Sequence, residues 1–243
     1  MRIPRLYFKG ALERGSVIQL DNDSAHYLSK VLRLRVESQI KLFNNKEGEF
    51  LATIISKSTT NVTASVDLQL REPEEDTLRF HVALAITKGE RMDYAIQKSV
   101  ELGVVSIIPF FSELSEVKIK DENRLENKLR HWKSVAMNAC QQCGRLALPD
   151  IEKPKTFQGL IKQQKNDTYV LLDASGQRNL KEINFKNELY LLFGPEGGFS
   201  NSELVTAKEN TIIASLGPRV LRSETAPVVA LSILQSEFGD LNR

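Results

Sequence analysis

The chain of 243 residues is 41% hydrophobic and 26% charged, which allows two compact units with separate cores and excludes the charge-rich, core-poor composition of disordered chains. Its formal net charge of +2 is too small to demand a polyanionic partner, so the distribution of charge carries the information. No apolar run approaches the roughly 20 residues needed to span a bilayer, and MRIPRLYFKG lacks the apolar stretch and cleavage site of a secretory signal. A cytoplasmic protein without a membrane partner is expected.

Through Arg35 the cations Arg2, Arg5, Lys9, Arg14, Lys30, Arg33 and Arg35 outnumber Glu13, Asp21 and Asp23, a local surplus suited to phosphate contacts, although a solvated face reads the same way. Short alternating runs near Leu6 to Phe8, Val17 to Leu20, Gln39 to Phe43, Glu49 to Ser56 and Val62 to Leu70 predict strands. Asn44 to Gly48 predicts a hairpin loop, and Asp23 or Ser24 is placed to cap a helix carrying Ala25, Leu28, Val31 and Leu32. A small, mostly β barrel or sandwich follows. The proline and acids of Arg71 to Thr77 break the pattern, and the boundary is drawn there, giving domains of residues 1–72 and 73–243.

Beyond it strands alternate with helices, the pattern of a largely parallel sheet covered on both faces. Strands are predicted at Phe80 to Ile86, Val105 to Pro109, Tyr169 to Leu172, Leu189 to Phe193 and Thr211 to Leu216. Helices are predicted at Arg91 to Leu102, Arg124 to Gln142, Phe157 to Gln164, from Asn201, and through Phe238. Cys140 and Cys143 form a lone CxxC. No second Cys or His pair lies at ligand spacing, so no metal is expected, and two buried thiols on a helix are the simpler reading. His26, His81 and His131 sit beside no nucleophile pattern, which removes support for a Ser/His/Asp hydrolase.

Ligands of open α/β sheets bind beyond the carboxyl ends of the strands. Two apolar strands run into Gly-Pro there: LYLLF into GPEGGF from Gly194, and TIIASL into GPRVLRSET from Gly217. Glycine lets the backbone approach a ligand and proline fixes the turn, so such loops read a ligand with main-chain groups. Neither fits GxxxxGK[ST] or GxGxxG, which makes ATP and NAD poor candidates. Ser200 to Glu203 fits a capping box, so part of the first loop starts a helix, and each loop taken singly is equally a tight connection. Asn138, Gln141, Gln142 and Arg145 add hydrogen-bonding groups at the end of the long helix, whose apolar stripe is Leu125, Leu129, Trp132, Ala136 and Ala139.

MRIPRLY, KVLR from Lys30, KGERMD from Lys88, QKSVELG from Gln97, CQQCGR from Cys140, GPEGG from Gly194 and LGPRVLRSET from Leu216 together resemble the RsmE family over nearly the whole chain. The resemblance implies a SPOUT methyltransferase that makes N3-methyluridine at uridine 1498 of small-subunit ribosomal RNA, with S-adenosylmethionine as methyl donor. It implies an N-terminal PUA-like β-barrel that binds RNA, a C-terminal α/β domain with a deep trefoil knot, and a homodimer whose active site is completed across the interface. The implied donor-binding residues are Leu172, Phe193, Gly194, Glu196, Gly198, Ser215, Leu216, Gly217, Val220, Leu221 and Ser223. Arg2, Arg5, Lys30, Arg33 and Asn138 would contact RNA. Gln141 stands where the family usually has Glu, and Ser223 where it has Thr.

Methyl transfer from a sulfonium is an in-line displacement that requires no metal, and positioning supplies much of the catalysis. The N3 proton must leave, and cations favouring the uracil anion lower that barrier; Arg145 and Arg222 are the catalytic candidates. Arg145 follows Gly144, a residue suited to a helix C-cap, and alternatively neutralises the helix end. Two other functions stay open at this point: methylation of a ribose 2′-oxygen or guanine ring nitrogen on the same scaffold, and a non-catalytic RNA-binding assembly factor.

Overall fold

The computed structural model describes residues 3–58, 60–73, 78–119, 121–162, 167–186 and 188–242. Arg2 and the acidic stretch Glu74 to Thr77 lie outside them. The chain divides into two compact units, Met1–Glu75 with Cys140–Leu148 and Asp76–Ala139 with Pro149–Arg243.

The first unit contains β1 (Arg5–Tyr7), β2 (Val17–Gln19), α1 (Asn22–His26), β3 (Gln39–Asn44), β4 (Gly48–Lys57) and β5 (Val62–Arg71). They form a five-stranded sheet in the order β1-β3-β4-β5-β2. β1 pairs with β3 in parallel, and the remaining pairs are antiparallel. Register shifts between β4 and β5 bend the long ribbon, and its inward residues Phe50, Ala52, Ile54, Val62, Ala64 and Val66 pack on Leu6, Leu28, Ile40 and Leu42. The expected hairpin at Asn44 to Gly48 is present: the Asn44 side-chain oxygen accepts from the backbone N–H of Glu47 at 2.8 Å.

The cap of α1 differs from expectation. Asp21, in extended conformation, accepts from Ser24 N at 2.7 Å, so the helix begins before Asp23. The earlier start places Ala25 and Leu28 inward. A π-helical turn then covers Tyr27–Val31, closed by Leu32 N to Tyr27 O at 3.0 Å, and Arg33 follows with φ 53°.

The second unit contains β6 (Arg79–Ala85), α2 (Glu90–Glu101), β7 (Ser106–Phe111), most of α3 (Glu122–Cys143), β8 (Asp150–Ile151), β9 (Lys155–Thr156), α4 (Phe157–Lys162), β10 (Thr168–Leu172), β11 (Arg178–Asn179), β12 (Glu188–Phe193), α5 (Asn201–Asn210), β13 (Ile212–Ser215) and α6 (Thr225–Glu237). The sheet runs β11-β13-β10-β12-β6-β7-β8, with β9 also paired to β7. Every pairing is parallel. Val82, Ala83, Leu84 and Ala85 are all buried, as expected for a strand covered on both faces. Ala83, Ala85, Phe110, Leu171 and Leu192 share one cluster with Phe157 and Leu160 of α4 and Ala207 of α5. β8, β9 and β11 were not anticipated, because two residues have no periodicity to read.

Candidate active site

A cavity of about 440 Å³ opens at the carboxyl ends of β10, β12 and β13. β10 lies between the other two, with Leu172 in register with Phe193 on one side and Ala214 on the other. The two strands that run into Gly-Pro are therefore not neighbours in the sheet: their loops flank a third strand, whose end contributes Leu172, Asp173 and Ala174 to the cavity.

Of the residues expected to hold the donor, Leu172, Phe193, Gly194, Glu196, Gly198, Leu216, Gly217, Val220, Leu221 and Ser223 line this one cavity. Ser215 ends β13 in register with Asn179 and is not among the lining residues. Leu172 and Phe193 are buried and give an apolar floor, whereas Val220 is 88% exposed at the rim. Gly217 has φ 110°, a conformation that costs side-chain-bearing residues strain. Arg222 also lines the cavity. Its side chain is 82% exposed and stands 3.9 Å from Glu224, so it stays solvated.

The GPEGGF loop is anchored from below. Gly198 N donates to Pro195 O at 2.9 Å, and the expected capping box is present, with Ser200 and Glu203 each bonding the other's backbone N–H. The buried Glu203 carboxylate also accepts from Ser112 Oγ and Glu113 N, both at 3.0 Å. The loop thus leaves a fixed helix start.

Sequence reasoning missed Arg91, Asp173, Phe199, Arg219 and Glu224, which also line the cavity. Arg91, beside the Gly89 N-cap of α2, forms an ion pair with Glu196 and ties the helix start to the Gly-Pro loop. KGERMD was the available signal, but nothing in it named a partner 105 residues away.

The remaining candidates are distributed. Asn138 is exposed on α3 in the second unit. Lys30 is exposed in the π-helical turn of the first unit and Arg33 just after it, close in sequence to the exposed Tyr27. Such an aromatic among cations suits base stacking and was also missed. Arg5 departs from expectation. Its side chain is only 9% exposed and pairs with the buried Glu49, and it donates to the carbonyls of Cys140 at 2.5 Å and Arg145 at 2.6 Å. The Phe43 ring lies 3.6 Å below it. A guanidinium so engaged staples the unit together and is not offered to phosphate.

Arg145 lies in the first unit, within Cys140–Leu148. That segment is also held by Tyr7 N to Gln141 Oε1 at 3.1 Å, Arg71 Nη1 to Gly144 O at 2.8 Å, and two bonds between Asn45 and Leu148 at 2.9 and 3.1 Å. Cys140 is buried, its thiol pushed up to about 12 mainly by burial, which disfavours the nucleophilic thiolate. Cys143 is exposed, which corrects the expectation of two buried thiols: residues three apart on a helix are not held to the same depth. Among the described residues no group of three or more His, Cys, Asp or Glu could hold a metal, and no helix is long and apolar enough to cross a membrane.

Residues 74–235 match an RNA methyltransferase domain and residues 20–67 an RNA methyltransferase PUA domain, which defines the class: an α/β RNA methyltransferase with a PUA-like N-terminal domain. The chain belongs to the ribosomal RNA small subunit methyltransferase E family. It is 35% identical to that protein of Buchnera aphidicola (subsp. Acyrthosiphon pisum), covering 98% of this chain and 95% of the relative. With the Bacillus subtilis member it shares 28% over 93% and 92% of the two chains. A Legionella pneumophila structure with the bound cofactor SAM is 33% identical, with a TM-score of 0.92 over 97% of this chain and 98% of the other. The Neisseria gonorrhoeae small subunit methyltransferase E bound to S-adenosyl methionine is 28% identical, with a TM-score of 0.90 over 98% and 99%.

Proposed function

We propose that this protein transfers a methyl group from S-adenosylmethionine to N3 of a uridine in small-subunit ribosomal RNA, at the uridine 1498 site implied by the family. The observation that carries the reading is the cavity where β10, β12 and β13 end, built largely from the two Gly-Pro loops. Its residues fit the donor. A volume of about 440 Å³ suits a nucleoside-sized ligand, the Leu172 and Phe193 floor suits an adenine face, and the loops offer backbone donors and acceptors to its edge and to ribose hydroxyls. The donor supplies an electrophilic methyl group.

What the chain must do is hold the uridine in line and manage one proton. Arg222 on the cavity wall and Arg145 after α3 favour the uracil anion formed as N3 loses its proton. Because N3 faces the partner strand in a duplex, the target is single-stranded or drawn from its stack. Lys30 and Arg33 contribute phosphate contacts, and Asn138 a polar contact to RNA.

The finer architecture follows the family. The five strands of the first unit close into a PUA-like barrel spanning residues 1–72, and the chain of residues 73–243 passes through a loop near the donor cavity as a trefoil knot, in line with β10 lying between β12 and β13. The protein acts as a cytoplasmic homodimer. α6 supports this: beside its buried Ala230, Leu231 and Leu234 it leaves Val228, Val229 and Ile233 partly uncovered, and its stretch from Ala226 to Leu234 carries Ser232 as its one polar residue, so it is apolar nearly all round and belongs inside a core or interface.

The test is nucleoside mass spectrometry of small subunits from a strain lacking the gene, before and after incubation with the purified protein and labelled donor. N3-methyluridine gained at the single target is the expected result. Label on ribose or guanine would overturn the target assignment, and no label would overturn the enzymatic reading.

A further inference from the structure

A second concave surface of the methyltransferase unit shares no lining residue with the donor cavity. It is a groove of about 490 Å³ lined by residues 175–178 on one side and by Lys208 and residues 211–213 on the other. One turn connects it to the donor cavity: Asp173 and Ala174 line the cavity, and Ser175 to Arg178 line the groove.

The turn is locked in place. Asp173 N donates to Ala214 O at 3.0 Å and Gly176 N to Asp173 O at 3.1 Å. The Asp173 carboxylate accepts from Ser175 N at 2.8 Å and Ser175 Oγ at 2.6 Å. A side chain at Gly176 would collide with the Ala214 backbone, whose Cα lies 2.8 Å from the Cβ position. Arg178 then pairs with β13 opposite Ala214, so a strand presents its guanidinium. Arg178 and Lys208 are exposed, neither forms an ion pair among the described residues, and no carboxylate lines the groove.

We infer that this groove holds the sugar-phosphate backbone of the substrate RNA beside the target nucleotide, through Arg178 and Lys208 with the Gln177 amide as a further donor. A base that enters the donor cavity stays joined to its strand, so flanking phosphates must leave across the cavity's rim. The turn after β10 is part of that rim and delivers them to two uncompensated cations. Contacts of this kind fix register without reading sequence.

The inference rests on the RNA methyltransferase reading, and the test separates the two. Binding of a labelled single-stranded rRNA fragment containing the target uridine, and of whole small subunits, is measured against salt for wild type, Arg178→Gln, Lys208→Gln, the double variant and Arg178→Lys. Each lost phosphate contact lowers the slope of log K against log salt by about 0.7 on single-stranded RNA; the double variant loses about twice that, and Arg178→Lys retains the wild-type slope. Calorimetric affinity for S-adenosylmethionine stays unchanged, and KM for the subunit rises while kcat holds. Wild-type slopes in the double variant would overturn the groove assignment alone. Loss of subunit binding with RNA-fragment binding intact would put a ribosomal protein in the groove and also overturn it. A wild-type protein that binds neither RNA nor subunits would overturn both readings.

Discussion

The Nη2 atom of Arg5 donates to the backbone carbonyl of Arg145 at 2.6 Å, across 140 residues of sequence. The same guanidinium reaches the Cys140 carbonyl and the Glu49 carboxylate. It therefore supplies a cation at the carboxyl end of α3, where the last turn has no basic residue of its own, adds a second donor to the Cys140 carbonyl, which also accepts from Gly144 N at 3.2 Å, and holds the chain that follows the helix through the Arg145 carbonyl. Removing one partner from a buried pair typically costs about 3–5 kcal/mol, so Arg5→Ala should lose stability of that order in urea denaturation. Arg5→Lys should lose a smaller amount, since an ammonium keeps the charge but not the fork. A loss below 1 kcal/mol for Arg5→Ala would contradict the staple.

Because Arg5 already serves the helix end, little of that task is left to Arg145. Arg145→Ala is expected to stay folded and to bind donor normally, while single-turnover methylation of small subunits falls roughly 100-fold, as when a group that stabilises transition-state charge is removed. A rate near wild type would return Arg145 to a structural role.

Gly217→Val should weaken donor binding at least tenfold by calorimetry. Filling of occupied space is not the cause, since nothing lies within 4 Å of the Cβ position; the cause is φ 110°, where a β-branched residue is strained by about 1–3 kcal/mol and the loop must move. The protein should stay folded, with its unfolding temperature lowered by roughly 2–4 °C for each kcal/mol of that strain which loop movement does not relieve. Unchanged affinity would show that the loop tolerates another conformation.

A pH effect on stability is expected from His81. It is buried, stacked on Tyr190 at 4.1 Å, with Nδ1 2.7 Å from Ser106 Oγ and Nε2 3.7 Å from Glu188. Burial holds its pKa below the ordinary 6.5, against the pull of Glu188. The unfolded chain therefore takes up the proton more readily, so this contribution is present above pH 6.5 and is lost as pH falls through the folded value. Urea midpoints should drop between pH 6.5 and 5 in wild type, with a shallower drop in His81→Gln. Equal slopes would exclude His81 as the source.

Much of the fold was legible because periodicity reports burial locally. The alternation of Val62, Ala64 and Val66 and the unbroken apolar run of β12 both read correctly, as did the Ser200–Glu203 capping box. The cavity was legible as two Gly-Pro loops, but the strand between them was not, because strand order is set by pairing and not by adjacency in sequence. Arg5 was misread for the same reason: a basic N-terminus looks like a phosphate ligand until Glu49, Cys140 and Arg145 converge on it. Arg91 and Glu196 likewise meet only in three dimensions.

The inclusion of Cys140–Leu148 in the first unit bears on how the nascent chain matures. Domains generally fold in order of synthesis at about 5–20 residues per second, but this N-terminal sheet emerges without the segment that occupies Arg5, Asn45 and Arg71. For roughly 4 to 15 s of translation, while residues 76–148 are being made, Arg5 has Glu49 for company but no helix end to hold. The first unit to leave the ribosome is thus finished only after all of α2, β7 and α3 has followed it, and a pause within that interval would leave its five strands without the segment that completes the unit.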